Sequence, residues 1–228
     1  MERDNEFSQI LKAQESFLHL LSRLYSLEVD QPLFDKLLVA GLPEECGDAE
    51  LTEGYHLIAG YLRQAPVDPV TDLAVDYARV FLGAGTLETS AAAYPYESVY
   101  TSSDRLVMQQ ARDEVLAIYR RNGLDKSDSV DVPEDHLGLE CTFLAHITHR
   151  ALNALDHEDW PALSASLKEQ RAFLLEHIQN WVPAFCADIG KYARTDFYRG
   201  VAKITAGFLR LEGAVLDDLI AEAIGKVA

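Results

Sequence analysis

With 228 residues, 48% of them apolar, the chain has material for one large domain or two small ones around a packed core. Asp and Glu outnumber Lys and Arg by 37 to 20, a formal net charge of -17. That balance speaks against a nucleic-acid partner, because phosphates are bound by Lys and Arg, and suits a basic peptide or protein, although acidity also serves solubility alone.

The N-terminus MERDNEF is acidic where a signal peptide needs basic residues, and no uncharged run approaches ~18 residues. The chain is therefore expected in the cytoplasm, with no stable membrane insertion. Cys46, Cys141 and Cys186 are far apart and form no CxxC, so neither a disulfide framework nor a thiolate metal site is expected.

From Phe7 the apolar residues Phe7, Ile10, Leu11, Phe17, Leu18, Leu21, Leu24 and Tyr25 recur in steps of three and four and predict a long amphipathic first helix. Further helices are predicted over 31–40, 48–64, 70–82, 103–122, 134–156, 159–180, 182–193 and 197–224, the last broken into two. Ser102 or Ser103 would cap the helix that Gly123 ends, and Pro161 suits a first turn capped by Asp159 or a neighbour. No alternating strand pattern occurs, so the class is all-α, a bundle of about ten helices. Segments 83–99 and 123–133 read as loops; the second could be a hinge between sub-parts 1–122 and 134–228.

Three constellations stand out. Tyr94-Pro-Tyr-Glu-Ser-Val-Tyr100 puts three aromatics and a carboxylate within seven residues. If a helix starts here, Glu97 and Tyr100 are neighbours, and a carboxylate flanked by tyrosines can hold a guanidinium. The alternative, favoured on composition alone, is that the tyrosines pack in the core and Glu97 sits at a helix N-terminus. In Pro133-Glu-Asp-His136 a helix begins, with Asp135 placed to cap it and His136 and Glu140 on one face. The cluster Asp135, His136, Glu140, His146 and His149 looks superficially like metal ligands, but its spacing spreads these residues around the helix and contains no HExxH. Near the end of a long helix, His177 and Trp181 would share a face, with Pro183 marking the next helix; core packing explains most of this. No GxSxG motif and no phosphate-binding GxxxxGK[ST] loop is present.

In this order the constellations resemble the signature of the TorD/DmsD family of redox-enzyme maturation chaperones. The resemblance begins at Asp76-Tyr-Ala-Arg-Val-Phe81, similar to a DYxRLF segment. It continues through Tyr96–Tyr100, Pro133–His136 with Glu140 and Phe143, His177–Phe185 and Phe197-Tyr198. Val80 stands where Leu is common, and Cys141-Thr142 departs from the usual pattern.

The resemblance implies a non-enzymatic cytoplasmic chaperone that binds the twin-arginine leader and apo form of a molybdopterin oxidoreductase, assists cofactor insertion and proofreads export. On it, Glu97, Asp135 and Glu140 are candidates for the leader's arginines. Tyr25, Phe81, Tyr96, Tyr100 and Trp181 would supply apolar or stacking contacts, and His136 would orient its neighbours. It implies no cofactor beyond weak GTP binding. A guanine-nucleotide-binding regulator and a general helical adaptor stay open as alternatives, as do a monomer and a domain-swapped dimer.

Overall fold

The computed structural model describes residues 2–85 and 92–227; residues 86–91 of the expected loop 83–99 lie outside the described residues. The described residues form ten α-helices. They are α1 (Glu2–Ser26), α2 (Gln31–Val39), α3 (Ala49–Arg63), α4 (Pro69–Leu82), α5 (Glu97–Thr101), α6 (Gln110–Arg121), α7 (Leu137–Asp156), α8 (Trp160–Phe173), α9 (Val182–Tyr192) and α10 (Asp196–Val227). A π-helical turn, Leu174–Ile178, comes directly after α8. No strand occurs among them; one isolated antiparallel bridge joins Tyr96 and His136. The all-α expectation is met. No described helix is long and apolar enough to cross a membrane.

Several helix starts obey the rule that a short acidic side chain accepts the N–H groups left over in the first turn. Asp30 accepts from Leu33, Asp48 from Glu50 and Leu51, Asp68 from Thr71, and Asp159 from Ala162. Asp159 with Pro161 is the punctuation expected from the sequence. Gly123, with φ of 69°, comes just after α6, as expected for a helix end.

Three expectations are corrected. The stretch 103–122 is not one helix: α5 ends at Thr101, Ser102 is its C-terminal cap, and α6 starts only at Gln110. Arg105 and Met108 take left-handed backbone angles, φ 52° and 62°, which no helix can continue through. The stretch 159–180 ends in the π turn, where the Gln179 N–H reaches back to the Leu174 carbonyl at 2.9 Å. The last helix is unbroken from Asp196 to Val227. Two of its glycines serve close approach instead of interruption: a Cβ on Gly200 would come within 2.6 Å of the Gly54 carbonyl oxygen, and one on Gly207 within 2.8 Å of the Leu51 side chain.

The chain divides into two compact units, each assembled from separate segments. The first comprises Met1–Ser26, Tyr96–Asn180 and Leu211–Ala228, and contains the whole loop 123–133. Its core is built on the α1 stripe, where Phe7, Leu11, Leu18, Leu21, Leu24 and Tyr25 are buried. Tyr119, Phe143, Phe173 and His177 form a chain of ring contacts at 4.8, 4.7 and 5.1 Å between centroids. The second unit comprises Leu27–Pro95 and Trp181–Arg210. Phe81 lies at its centre, 5.0 Å from Tyr77, 5.5 Å from Tyr198 and 6.1 Å from Phe185, while Trp181 packs on Phe185 at 5.4 Å.

Candidate functional site

The first unit brings the second constellation against the first. The bridge between Tyr96 and His136 lays Tyr96–Ser98 alongside Glu134–His136, and the Glu97 N–H donates to the Asp135 carbonyl at 3.0 Å. Asp135 is fully buried. Its Oδ2 accepts the Ser98 N–H at 2.8 Å, while its buried Oδ1 meets no hydrogen-bond donor of the described chain. The expectation that Asp135 caps its own helix is therefore corrected: it caps α5, a helix 37 residues earlier. The cap of α7 is His136, whose Nδ1 accepts the Gly138 N–H at 3.0 Å.

An acceptor imidazole nitrogen must be unprotonated, and burial pushes the His136 pKa down to about 4, so the ring is neutral near pH 7. An ion pair of His136 with Glu140 is thereby ruled out near pH 7. The Tyr96 ring meets the His136 ring edge-on at 5.1 Å. Burial, and then the Asp135 charge, raise the Tyr96 hydroxyl above its ordinary pKa.

Glu97 is buried at the first position of α5 and is held from both sides. His177 Nδ1 lies 3.1 Å from its Oε2, and the Asn180 side-chain N–H donates to its Oε1 at 3.0 Å. The π turn carries His177 into this position; an extra residue in one turn rotates the residues after it by about 100° relative to an α-helix. Glu134 completes the rim. It pairs with Arg112 and, at 3.4 Å, with the Lys126 ammonium. Burial pushes its carboxyl up, but the Arg112 hydrogen bond prevails and holds it below the usual range. The Tyr119 hydroxyl donates to the Glu134 carbonyl at 3.3 Å. Burial, then the neighbouring Glu140 charge, push the Tyr119 hydroxyl far up.

Of the nine candidate residues, the first unit contains Tyr96, Glu97, Tyr100, Asp135, His136, Glu140 and Tyr25, and the second contains Phe81 and Trp181. Tyr96, Glu97, Asp135 and His136 are brought into direct contact. Tyr25, Phe81, Glu97, Asp135, His136, Glu140 and Trp181 are buried, whereas Tyr96 and Tyr100 are half-buried. Sequence reasoning assigns no role to Ser98, Arg112, Glu134 or Asn180, and places His177 only as a neighbour of Trp181. His177 and Asn180 are signalled only by their place in the family-like segment, because helical spacing cannot reveal a π turn. Among the described residues no group of three or more His, Cys, Asp or Glu side chains is placed to hold a metal ion.

The chain has relatives among known proteins. Residues 44–187 match the family model described as nitrate reductase delta subunit. The chain is 29% identical over 203 residues to the "Chaperone protein TorD" of Vibrio cholerae, covering 89% of this chain and 85% of that protein. It is 26% identical over 149 residues to the protein of that name from Photobacterium profundum, 65% of this chain and 66% of the relative. With that from Shewanella piezotolerans the identity is 22% over 215 residues, 87% and 89% of the two chains.

Proposed function

The chain belongs to the nitrate reductase delta subunit family, that of the TorD/DmsD chaperones, and from this premise we propose that it is a maturation chaperone for a molybdopterin oxidoreductase. The family points to a binding protein and not to an enzyme. On this reading the chain acts in the cytoplasm, binding the client's twin-arginine leader and apo form, holding them for cofactor insertion and delaying export.

The observation that carries the proposal is Asp135. A fully buried carboxylate oxygen without a donor is costly, and it sits within electrostatic reach of a half-buried tyrosine. A guanidinium supplies the missing partner: N–H donors in a planar fork, and a flat cation that stacks on an aromatic ring. Tyr96 and Tyr100 are then the contact residues, with Asp135 as the acceptor behind them. Glu97 already has His177 and Asn180 as partners, so its part is to hold the 96–101 segment in place. His136 and Glu140 act through the packing of the α7 start.

The test is calorimetric titration of the full chain with a client leader peptide and with the same peptide carrying lysines for its arginines. Asp135→Asn keeps an acceptor for the Ser98 N–H but loses the charge, and is expected to weaken binding of the arginine peptide about tenfold, on the order of 1.4 kcal/mol. The lysine peptide, whose ammonium groups lack the planar fork, should bind wild type more weakly than the arginine peptide and lose less on going to Asp135→Asn. Unchanged affinity of Asp135→Asn for the arginine peptide, in a variant that unfolds like wild type, would defeat the assignment.

A further inference from the structure

One of the two rings that the proposed site offers to a guanidinium already carries one. The Arg105 guanidinium carbon lies 5.2 Å from the centre of the Tyr100 ring, within cation–π range. Tyr100 stands near the end of α5, and Arg105 belongs to the turn 102–109 that leads from α5 to α6. Tyr96, the N-terminal cap of α5, and Tyr100 are four residues apart, so both rings lie toward one side of this short helix.

The backbone at 105 does not favour an arginine. Its φ is 52°, in the left-handed region, where Gly rests without strain and Asn with little, and where a long side chain gains nothing locally. The bonds that close the turn run through other groups: the Arg105 N–H donates to the Ser102 carbonyl at 3.3 Å, and the Gln109 N–H to the Ser98 hydroxyl at 3.2 Å. Charge argues against an arginine here as well. Arg105 is exposed, and a cation beside a site for arginines repels the ligand that the site is to hold. What its guanidinium does is cover half-buried Tyr100 with a flat cation, which is the chemistry the ring would otherwise take from a client. A contact of this kind that is open to water is weak, and a better-placed guanidinium can displace it.

We propose that Arg105 is a built-in competitor for the Tyr100 ring: in the free chain its guanidinium occupies the place of a client arginine, and it swings away when that arginine arrives. This rests on the reading of Tyr96, Tyr100 and Asp135 as the arginine site, and adds to it an autoinhibitory contact. An internal occupant lowers the fraction of chains ready to bind and so raises the apparent Kd, by about threefold for an exposed contact. A lysine side chain meets the same occupant and regains less by stacking, so the competitor sharpens the choice of arginine over lysine.

The experiment uses the full chain and a synthetic peptide with two adjacent arginines. Arg105→Asn, whose side chain suits the left-handed backbone, is expected to bind that peptide about threefold more tightly than wild type in calorimetric titration. Loss of a positive charge would by itself favour a basic peptide, so the substitution is repeated in a Tyr100→Leu background, where the gain should vanish. A second readout needs no substitution. The Tyr100 ring current should move the Arg105 side-chain proton resonances upfield in the free chain, and saturating unlabelled peptide should return them to the ordinary arginine position. Equal or weaker affinity of Arg105→Asn, a gain of the same size in the Tyr100→Leu background, or Arg105 resonances that do not move on saturation each overturn the competitor while leaving the chaperone reading standing. Failure of wild type to bind the peptide at all defeats that reading, and the competitor with it.

Discussion

Asp135 accepts the Ser98 N–H at 2.8 Å, so a carboxylate two residues before α7 caps α5 and leaves α7 to be capped by a histidine. Removing it leaves that N–H buried without a partner. Asp135→Ala is therefore expected to destabilise the chain by about 2 kcal/mol, whereas Asp135→Asn, which keeps an acceptor, should cost less than half of that. Urea unfolding of both variants checks the order, and equal midpoints for the two would contradict it.

Glu212 gives stability a pH dependence of unusual sign for a carboxylate. Burial raises its pKa from 4.5 to about 8, with the neighbouring Gln14 amide pulling the other way. The folded chain thus keeps a proton that the unfolded chain releases near 4.5. Between these values the folded state binds more protons, so stability falls as pH rises, at a limit of about 1.4 kcal/mol per pH unit. Glu212→Gln, neutral at every pH, should gain stability over wild type progressively from about pH 5 to about pH 8. Denaturation curves across that range test this; a wild-type-to-variant difference independent of pH would sink it.

Gly138 lies where α7 starts against α1. A Cβ there would stand 2.0 Å from the Ser26 hydroxyl oxygen, 3.1 Å from His136 Nδ1 and 3.2 Å from the Ser22 carbonyl oxygen. Gly138→Ala should therefore cost about 2–3 kcal/mol through overpacking, despite alanine's better helix propensity. Adding Ser26→Ala should restore only part of the loss, since the Ser22 backbone cannot yield in the same way. Thermal unfolding of the single and double variants decides; a neutral Gly138→Ala is the contrary result.

In the second unit Asp76 gathers five hydrogen bonds, two from the Arg194 N–H at 3.0 and 3.1 Å, two from Thr195 at 2.8 Å and one from Arg79 at 3.1 Å. It anchors the two residues just before α10, while the cap of that helix is Thr195 itself, whose hydroxyl oxygen accepts the Tyr198 N–H at 3.4 Å. Asp76→Ala is expected to cost about 3 kcal/mol and Thr195→Val about 1 kcal/mol. Amide hydrogen exchange should show the start of α10 opening in Asp76→Ala, because Thr195 loses its anchor; protection equal to wild type would remove this role.

Legibility in the sequence tracks the range of the interactions. The α1 stripe and the Asp159–Pro161 helix start are readable because their partners lie within one turn. The π turn is not, since it adds a residue without changing the apolar composition around Leu174–Ile178. The split of 103–122 is hidden because left-handed backbone sits on Arg105 and Met108, where no glycine announces it. For the candidate site the parts are visible and their assembly is not. Tyr96–Tyr100 and Glu134–His136 stand out as segments, yet Glu97 finds its partner 80 residues away at His177, and Asp135 serves a helix other than its own. Segment 76–81 is recognisable by resemblance, while the anchoring work of Asp76 depends on residues 118 and 119 positions later.

Gln14 occupies a place in the α1 stripe where every neighbouring position is apolar, and it is buried beside Glu212, which also receives the Gln170 side-chain N–H at 3.4 Å. Leucines one turn apart are nearly interchangeable, so the apolar stripe alone would let α1 sit one heptad up or down against the C-terminal half of α10 at little cost. The two polar groups side by side remove that freedom, although neither amide atom of Gln14 makes a hydrogen bond, because a displaced alignment would bury each of them among leucines instead. The least hydrophobic contact in this interface is the one that selects its register.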